Sequence, residues 1–226
     1  MARVAVVLAG CGYLDGAEIR ESVLSLLFLD QLDAEVQCFA PDISQHHVID
    51  HASKTESKET RNVLVESARI ARSDIRPLGQ LNAADFDALV LPGGYGVAKH
   101  LSSLAFKGAD ADVLLDYANI IRAFFEAKKP IGAICIAPAV VALALKDKGI
   151  SLTIGEDEGT ASVITGSGNV HVVAATNMVV VDANHRVASC SAYMRDDRIS
   201  EVADGIEKCV RAVMSMCADV KQRKAS

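Results

Sequence analysis

Cys135 is the residue of this sequence best placed to do chemistry. It closes the apolar run Ile131-Gly132-Ala133-Ile134, stands between the small residues Ala133 and Ala137, and is followed by Pro138 and an alanine-rich run to Leu145. That pattern reads as a buried strand, a sharp turn and a helix. Small flanking residues are what such a turn requires, because strand and helix backbones pass close together there. A cysteine at the tip lies at a helix N-terminus, where the dipole and free N–H groups favour thiolate over thiol. An ordinary cysteine titrates near ~8.5, so a modest downward shift makes it reactive at neutral pH. The competing reading is a packed core cysteine, since cysteine is among the most buried residue types.

Two more features are expected at the same edge of the sheet. Glu18 and Glu21 open a helix expected over Glu18 to Leu32, and the strand Asp87 to Leu91 runs into Pro92-Gly93-Gly94. In open α/β sheets ligands bind at the C-terminal ends of the strands. A carboxyl there, Glu21 or Glu18, can exchange a proton with a thiol or hold it by hydrogen bond. The Gly93-Gly94 turn offers backbone to a substrate, and the N–H groups of Gly94 and Ile136 offer oxyanion donors. Acidic residues in a helix's first turn also serve simply to complement the dipole, so Glu18 and Glu21 carry both readings.

The elements that must position these groups alternate along the chain. Ala2 to Ala9, Glu35 to Ala40 and Asp87 to Leu91 are strand-like; Glu18 to Leu32, Thr60 to Arg72 and Val113 to Lys128 are helix-like. In the first helix Ile19, Val23, Leu26, Leu27 and Leu29 supply the apolar positions. Three short strand patterns follow Gly149, around Leu152–Ile154, Val170–Ala174 and Met178–Val181. Ala183-Asn184 forms a hairpin turn before His185–Ser189. A long helix spans Asp197 to Cys217, with Ile199, Val202, Ile206, Val210 and Val213 on one face, and 221–226 is a frayed tail. The alternation predicts one α/β domain over 1–220 with a mainly parallel sheet.

Composition narrows the function classes. The chain has 226 residues, 50% hydrophobic, with a formal net charge of −6, and a mean hydropathy of +0.24. That suits a parallel sheet covered on both faces and argues against nucleic acid or an anionic membrane as partner. The six cysteines have no C-x-x-C spacing, which removes the main zinc and thioredoxin-like signal. Free thiols, no signal-peptide pattern and no apolar run of membrane-spanning length point to the cytoplasm. Gly10-Cys11-Gly12-Tyr13-Leu14-Asp15-Gly16 follows the first strand, but Asp15 replaces the third glycine of a dinucleotide fingerprint. His46, His47 and His51, beside Asp50, form a possible metal cluster or a solvated loop.

Several stretches resemble a known family. Leu91-Pro-Gly-Gly94 and Ala133-Ile-Cys-Ile-Ala-Pro138 are similar to the ThiJ/PfpI superfamily of the class I glutamine amidotransferase-like fold. Asp15–Glu21, Cys38–Asp42, Thr60–Leu64, Gly132–Pro138 and Leu152–Gly155 resemble its ElbB subfamily, isoprenoid-biosynthesis proteins with an amidotransferase-like domain. The resemblance implies a flavodoxin-like three-layer sandwich and a homodimer. It also implies a glutamate from the first helix beside the cysteine, with Glu21 the better match and Glu18 the reserve. The implied activity is a cofactor-independent glyoxalase, or a related deglycase, acting on small dicarbonyls through Cys135. The alternative is a non-catalytic, cysteine-based oxidant sensor or regulator linked to isoprenoid biosynthesis. Protease-like relatives carry a histidine beside the cysteine or a downstream His-Glu pair. Ile136 occupies that place here, and His171 and His185 lie in no recognisable catalytic motif, which counts against amidotransferase or peptidase chemistry.

Overall fold

Alternating strand and helix patterns build one large sheet with helices on both faces. The computed structural model describes the backbone of residues 1–225 and the side chains of 1–218. The chain runs β1 (Arg3–Val7), α1 (Ile19–Gln31), β2 (Glu35–Ala40), a hairpin of β3 (Ile49–Asp50) and β4 (Thr55–Glu56), α2 (Val63–Ile70), β5 (Ile75–Pro77) and β6 (Ala88–Leu91). It continues through α3 (Tyr95–Lys99), α4 (Leu104–Lys107), α5 (Leu115–Glu126), β7 (Ile131–Ile134), α6 (Ala137–Ala144), β8 (Ser151–Leu152), α7 (Glu158–Gly166) and β9 (Val170–His171). It ends with β10 (Val180–Asp182), β11 (Val187–Cys190) and α8 (Ile199–Ala225).

The seven-stranded sheet has the order β10-β11-β7-β6-β1-β2-β5. Neighbours are parallel except the edge pair β10–β11, which is antiparallel. The expected mainly parallel, flavodoxin-like sandwich is the observed fold. Its inner strands are apolar throughout because both faces are covered. Ala5 and Val7 of β1 and Leu89 and Leu91 of β6 join Tyr117, Ile121 and Phe124 of α5 in one core. Val4, Val6 and Val90, on the opposite face, join Val202, Ile206, Val210 and Val213 of α8 in the other. The period of two along each strand thus feeds two cores from one sheet.

Three expectations are corrected. On α1, Ile19, Val23 and Leu27 are exposed, whereas Glu21, Ser22, Ser25 and Leu29 are buried. The small serines permit close packing on that face, and Ser22 and Ser25 return their hydroxyls to the Glu18 and Glu21 carbonyls at 2.7 Å. On α8 the buried stripe begins at Val202, and Ile199 at the helix start is exposed. The strands β8 and β9 pair with each other, outside the main sheet, with the unanticipated helix α7 between them. The 221–226 tail lies outside the residues whose side chains are described.

The histidine-rich segment straps the loop after β1. Asp15 Oδ2 accepts the Ile49 N–H at 2.7 Å, and His51 Nε2 accepts the Leu14 N–H at 3.3 Å. These contacts tie the β3–β4 hairpin to the loop after β1. Among the described residues no group of three or more His, Cys, Asp or Glu is arranged to hold a metal ion.

Candidate active site

The site forms where β7 turns into α6. Cys135 has φ +62, a left-handed conformation that is unusual for a residue with a side chain. Its N–H donates to the Cys190 carbonyl at 2.9 Å, so β11 fixes the strained residue from the side. Ile136 caps α6, and Pro138 lies in its first turn, where its missing N–H costs nothing. All eight residues of α6 are buried, so the turn is held by the core and not by solvent-exposed contacts.

Glu21 reaches the cysteine from α1, and the chain holds its carboxyl at both oxygens. Oε2 accepts the Gly93 N–H at 3.0 Å, and Oε1 accepts the Tyr193 N–H at 3.2 Å. The same carboxyl hydrogen-bonds with the Cys135 thiol. Gly93 is required by space: a Cβ there would lie 2.5 Å from the Cys135 Cβ and 2.8 Å from Glu21 Oε2. Gly94 is required by both space and backbone, with φ +98 and a would-be Cβ 2.3 Å from the Glu18 nitrogen. The Gly93 carbonyl in turn accepts the Glu18 N–H at 2.9 Å, docking the start of α1 onto the β6 turn.

Burial governs the electrostatics. Glu21 is fully buried, and desolvation, with the neighbouring Glu18 charge, pushes its carboxyl up to about 8. It is therefore mainly protonated at neutral pH. Burial and then the Glu21 charge push the Cys135 thiol up, against the pull of the Gly94 and Ile136 N–H groups. This corrects the expectation of a thiol lowered by the helix end. The residue is only 6% exposed, and removing charge from water outweighs two backbone donors. Loss of the first proton therefore leaves the Glu21 carboxylate beside the Cys135 thiol, with the Gly94 and Ile136 N–H groups at the sulfur.

Cys135 opens into a cavity of about 420 Å³. Glu18, Gly94, Ile136 and Tyr193 also line it, and no histidine is among its lining residues. Of the residues proposed from sequence, the structure gathers Cys135, Glu21, Gly93, Gly94 and Ile136 at one point. Glu18 takes a different place: its carboxylate caps α1 by accepting the Glu21 N–H at 2.7 Å. Gly93 is committed to Glu21 through its N–H, leaving Gly94 and Ile136 as the donors at the sulfur. Tyr193 was not foreseen. It arrives from 172 residues along the chain and contributes through its backbone, for which side-chain identity gives no signal. The three remaining histidines serve elsewhere: His185 pairs with Asp182 at 2.8 Å, His171 faces the Ile154 N–H at 3.5 Å, and His100 Nε2 meets the Asp15 carbonyl at 2.8 Å.

Comparison with known proteins finds relatives of this chain and of its fold. The DJ-1/PfpI family pattern matches residues 14–194. The chain is 42% identical over 225 residues to the mitochondrial ES1 protein homolog of Rattus norvegicus, covering 95% of this chain and 84% of that protein. It superposes with a TM-score of 0.89, at 46% identity, on a crystal structure of an isoprenoid biosynthesis protein with amidotransferase-like domain from Ehrlichia chaffeensis, covering 96% of this chain and 99% of that one. A glyoxalase III structure from Candida albicans shares the fold, with a TM-score of 0.61 at 13% identity over 95% of this chain and 97% of that one. No helix among the described residues is long and apolar enough to cross a membrane.

Proposed function

This chain belongs to the DJ-1/PfpI family, and from that premise we propose that it converts glyoxal-type dicarbonyls to hydroxy acids, without a cofactor, through Cys135. The observation that carries the reading is the buried Glu21–Cys135 pair, with the Gly94 and Ile136 N–H groups at the sulfur. A buried acid beside a buried nucleophile, with backbone N–H groups at the sulfur, suits a nucleophilic step followed by proton transfer.

The steps balance without a redox partner. The Glu21 carboxylate takes the Cys135 thiol proton as the sulfur attacks the aldehyde carbon and passes it to the oxygen, forming a hemithioacetal and recovering the carboxylate. The carboxylate then takes the C1 proton and returns it to C2, while the C1 hydroxyl proton passes to the C2 oxygen. C1 becomes an acyl thioester as C2 is reduced to a carbinol. Water cleaves the acyl–sulfur bond, releasing the hydroxy acid and restoring the thiol. Relatives of the family include proteins named glyoxalase III, which supports the reading at the level of the shared fold.

A second reading is that Cys135 responds to oxidants without turnover, as a regulator. It is favoured by the lining of the cavity, which among the described residues contains no histidine base, so that the carboxyl at the thiol is that of Glu21. Homodimerisation and action in a reducing compartment belong to the proposal; all six cysteines are free. Sedimentation of the purified protein reads the first.

The test is turnover of glyoxal and methylglyoxal by wild type, Cys135→Ala and Glu21→Gln, with glycolate and lactate quantified. Many equivalents of acid, abolished in Cys135→Ala, support the enzyme. Product capped at one equivalent, or unaltered activity in Cys135→Ala, overturns it and leaves the regulatory reading, tested by peroxide oxidation of Cys135.

A further inference from the structure

The cavity over Cys135 is larger than a small dicarbonyl requires. At ~30 Å³ for a water's share of liquid volume, a three-carbon dicarbonyl occupies on the order of 100 Å³. The cavity holds about 420 Å³. Filling the remainder with water would work against a site whose chemistry depends on desolvation.

The lining says what the extra volume suits. Ile136, Leu104, Val163 and Met194 make apolar walls, and Tyr95 and Tyr193 bring aromatic rings. The charged residues lining it are Glu18 and Asp157, both carboxylates, with no cation among them. Arg20, on the adjoining surface, is turned to the Tyr193 hydroxyl at 3.1 Å and stacks on that ring. A substrate tail bearing a carboxylate or phosphate would meet like charge here, whereas an apolar tail would bury its surface.

We propose that this site takes uncharged α-oxoaldehydes whose carbonyl carries an apolar, aryl-sized body, in preference to glyoxal and methylglyoxal. This rests on the reading that Cys135 attacks an aldehyde. The reaction is the same balanced addition of water, R–CO–CHO to R–CH(OH)–COOH, with R seated among Leu104, Val163 and Met194. Ala105, exposed on the short helix α4 and part of the same lining, controls the width.

The experiment has two arms on the same purified protein. The first is residue-resolved alkylation with iodoacetamide, its N-phenyl analogue iodoacetanilide, and iodoacetate. Cys11, half-buried and outside this cavity, serves as the internal reference. The second is turnover of methylglyoxal, phenylglyoxal and 4-carboxyphenylglyoxal. The expected result is an aryl-to-amide labelling ratio at Cys135 about tenfold above that at Cys11, with iodoacetate slowest, and kcat/KM for phenylglyoxal about tenfold above that for methylglyoxal, the order of discrimination an apolar pocket supplies. Ala105→Phe, which narrows the chamber from its exposed side, brings both ratios down. A Cys135 labelling ratio no greater than that of Cys11, or methylglyoxal as the better substrate, overturns the proposal. If no dicarbonyl is turned over but the labelling ratio holds, the glyoxalase reading fails and the cavity assignment stands. If methylglyoxal is turned over without aryl preference, the reverse follows.

Discussion

Gly93 touches both halves of the reactive pair: its N–H donates to Glu21 Oε2 at 3.0 Å, and its α-carbon faces Cys135 so closely that a Cβ would stand 2.5 Å from the Cys135 Cβ. One residue without a side chain therefore sets the acid and lets the nucleophile approach it. Gly93→Ala is expected to separate the pair. Cys135-dependent turnover falls by at least about a hundredfold, the cost of a misplaced reacting group, while overpacking costs about 1–3 kcal/mol of stability. Kinetics and denaturant titration of the same variant measure both. Unchanged turnover would mean that the Glu21–Gly93 contact is not needed for the chemistry.

Glu21→Gln keeps the shape of the protonated carboxyl and removes its proton. In the wild type, burial and then the Glu21 charge hold the Cys135 thiol up, so its alkylation rises only at alkaline pH. In the variant the charge is gone and the burial stays. The alkylation profile moves to lower pH, followed by iodoacetamide labelling between pH 6 and 10. An unchanged profile, or a shift to higher pH, would show that the Glu21 charge does not hold the thiol up.

The same carboxyl makes stability depend on pH, with a definite sign. Its folded value of about 8 lies above the ordinary ~4.3 of an unfolded glutamate. The folded state therefore binds the proton more tightly, and stability falls as pH rises. The contribution is fully present below about pH 4.3 and lost as pH climbs through about 8. Urea unfolding of wild type and Glu21→Gln from pH 5 to 9 should show the wild type losing ground to the variant as pH rises. Parallel pH dependences would place the buried proton elsewhere.

Asn169 anchors the helix behind the cysteine. Its Nδ2 donates to the Ala142 carbonyl at 3.1 Å and the Leu145 carbonyl at 3.0 Å, and its Oδ1 accepts the Ile150 N–H at 2.9 Å. These close the C-terminal end of α6, where helix carbonyls otherwise lack partners. Asn169→Ala leaves several buried groups unsatisfied at about 1–3 kcal/mol each. A fall in Tm is expected, largest at the α6 amides in hydrogen exchange. A loss below about 1 kcal/mol would show that water replaces the side chain.

The sequence by itself determined the architecture and the reactive point. Apolar runs such as Arg3–Val7 and Ala88–Leu91 fit only strands buried on both faces, and the helical spacing between them fits crossover helices, so a parallel sheet follows. The small residues around Cys135 fit a tight strand-to-helix turn, and Leu91-Pro92-Gly93-Gly94 marks a second turn at the same edge.

Tertiary structure alone decided which carboxyl meets the thiol. Glu18 and Glu21 are three residues apart and share the first turn of α1, so periodicity places them on neighbouring faces and cannot separate them. The rotation of α1 in the assembled fold decides it. That rotation buries Glu21, Ser22 and Ser25 and exposes Ile19, Val23 and Leu27, opposite to what hydrophobicity suggests, because the face that packs also has to deliver the acid. The direction of the thiol's shift was equally hidden: a helix N-terminus lowers it and burial raises it, and only the packing around Cys135 shows that burial prevails. Tyr193's part was beyond reach for a simpler reason, since a backbone N–H brought from the far end of the chain leaves no mark in the residue that carries it.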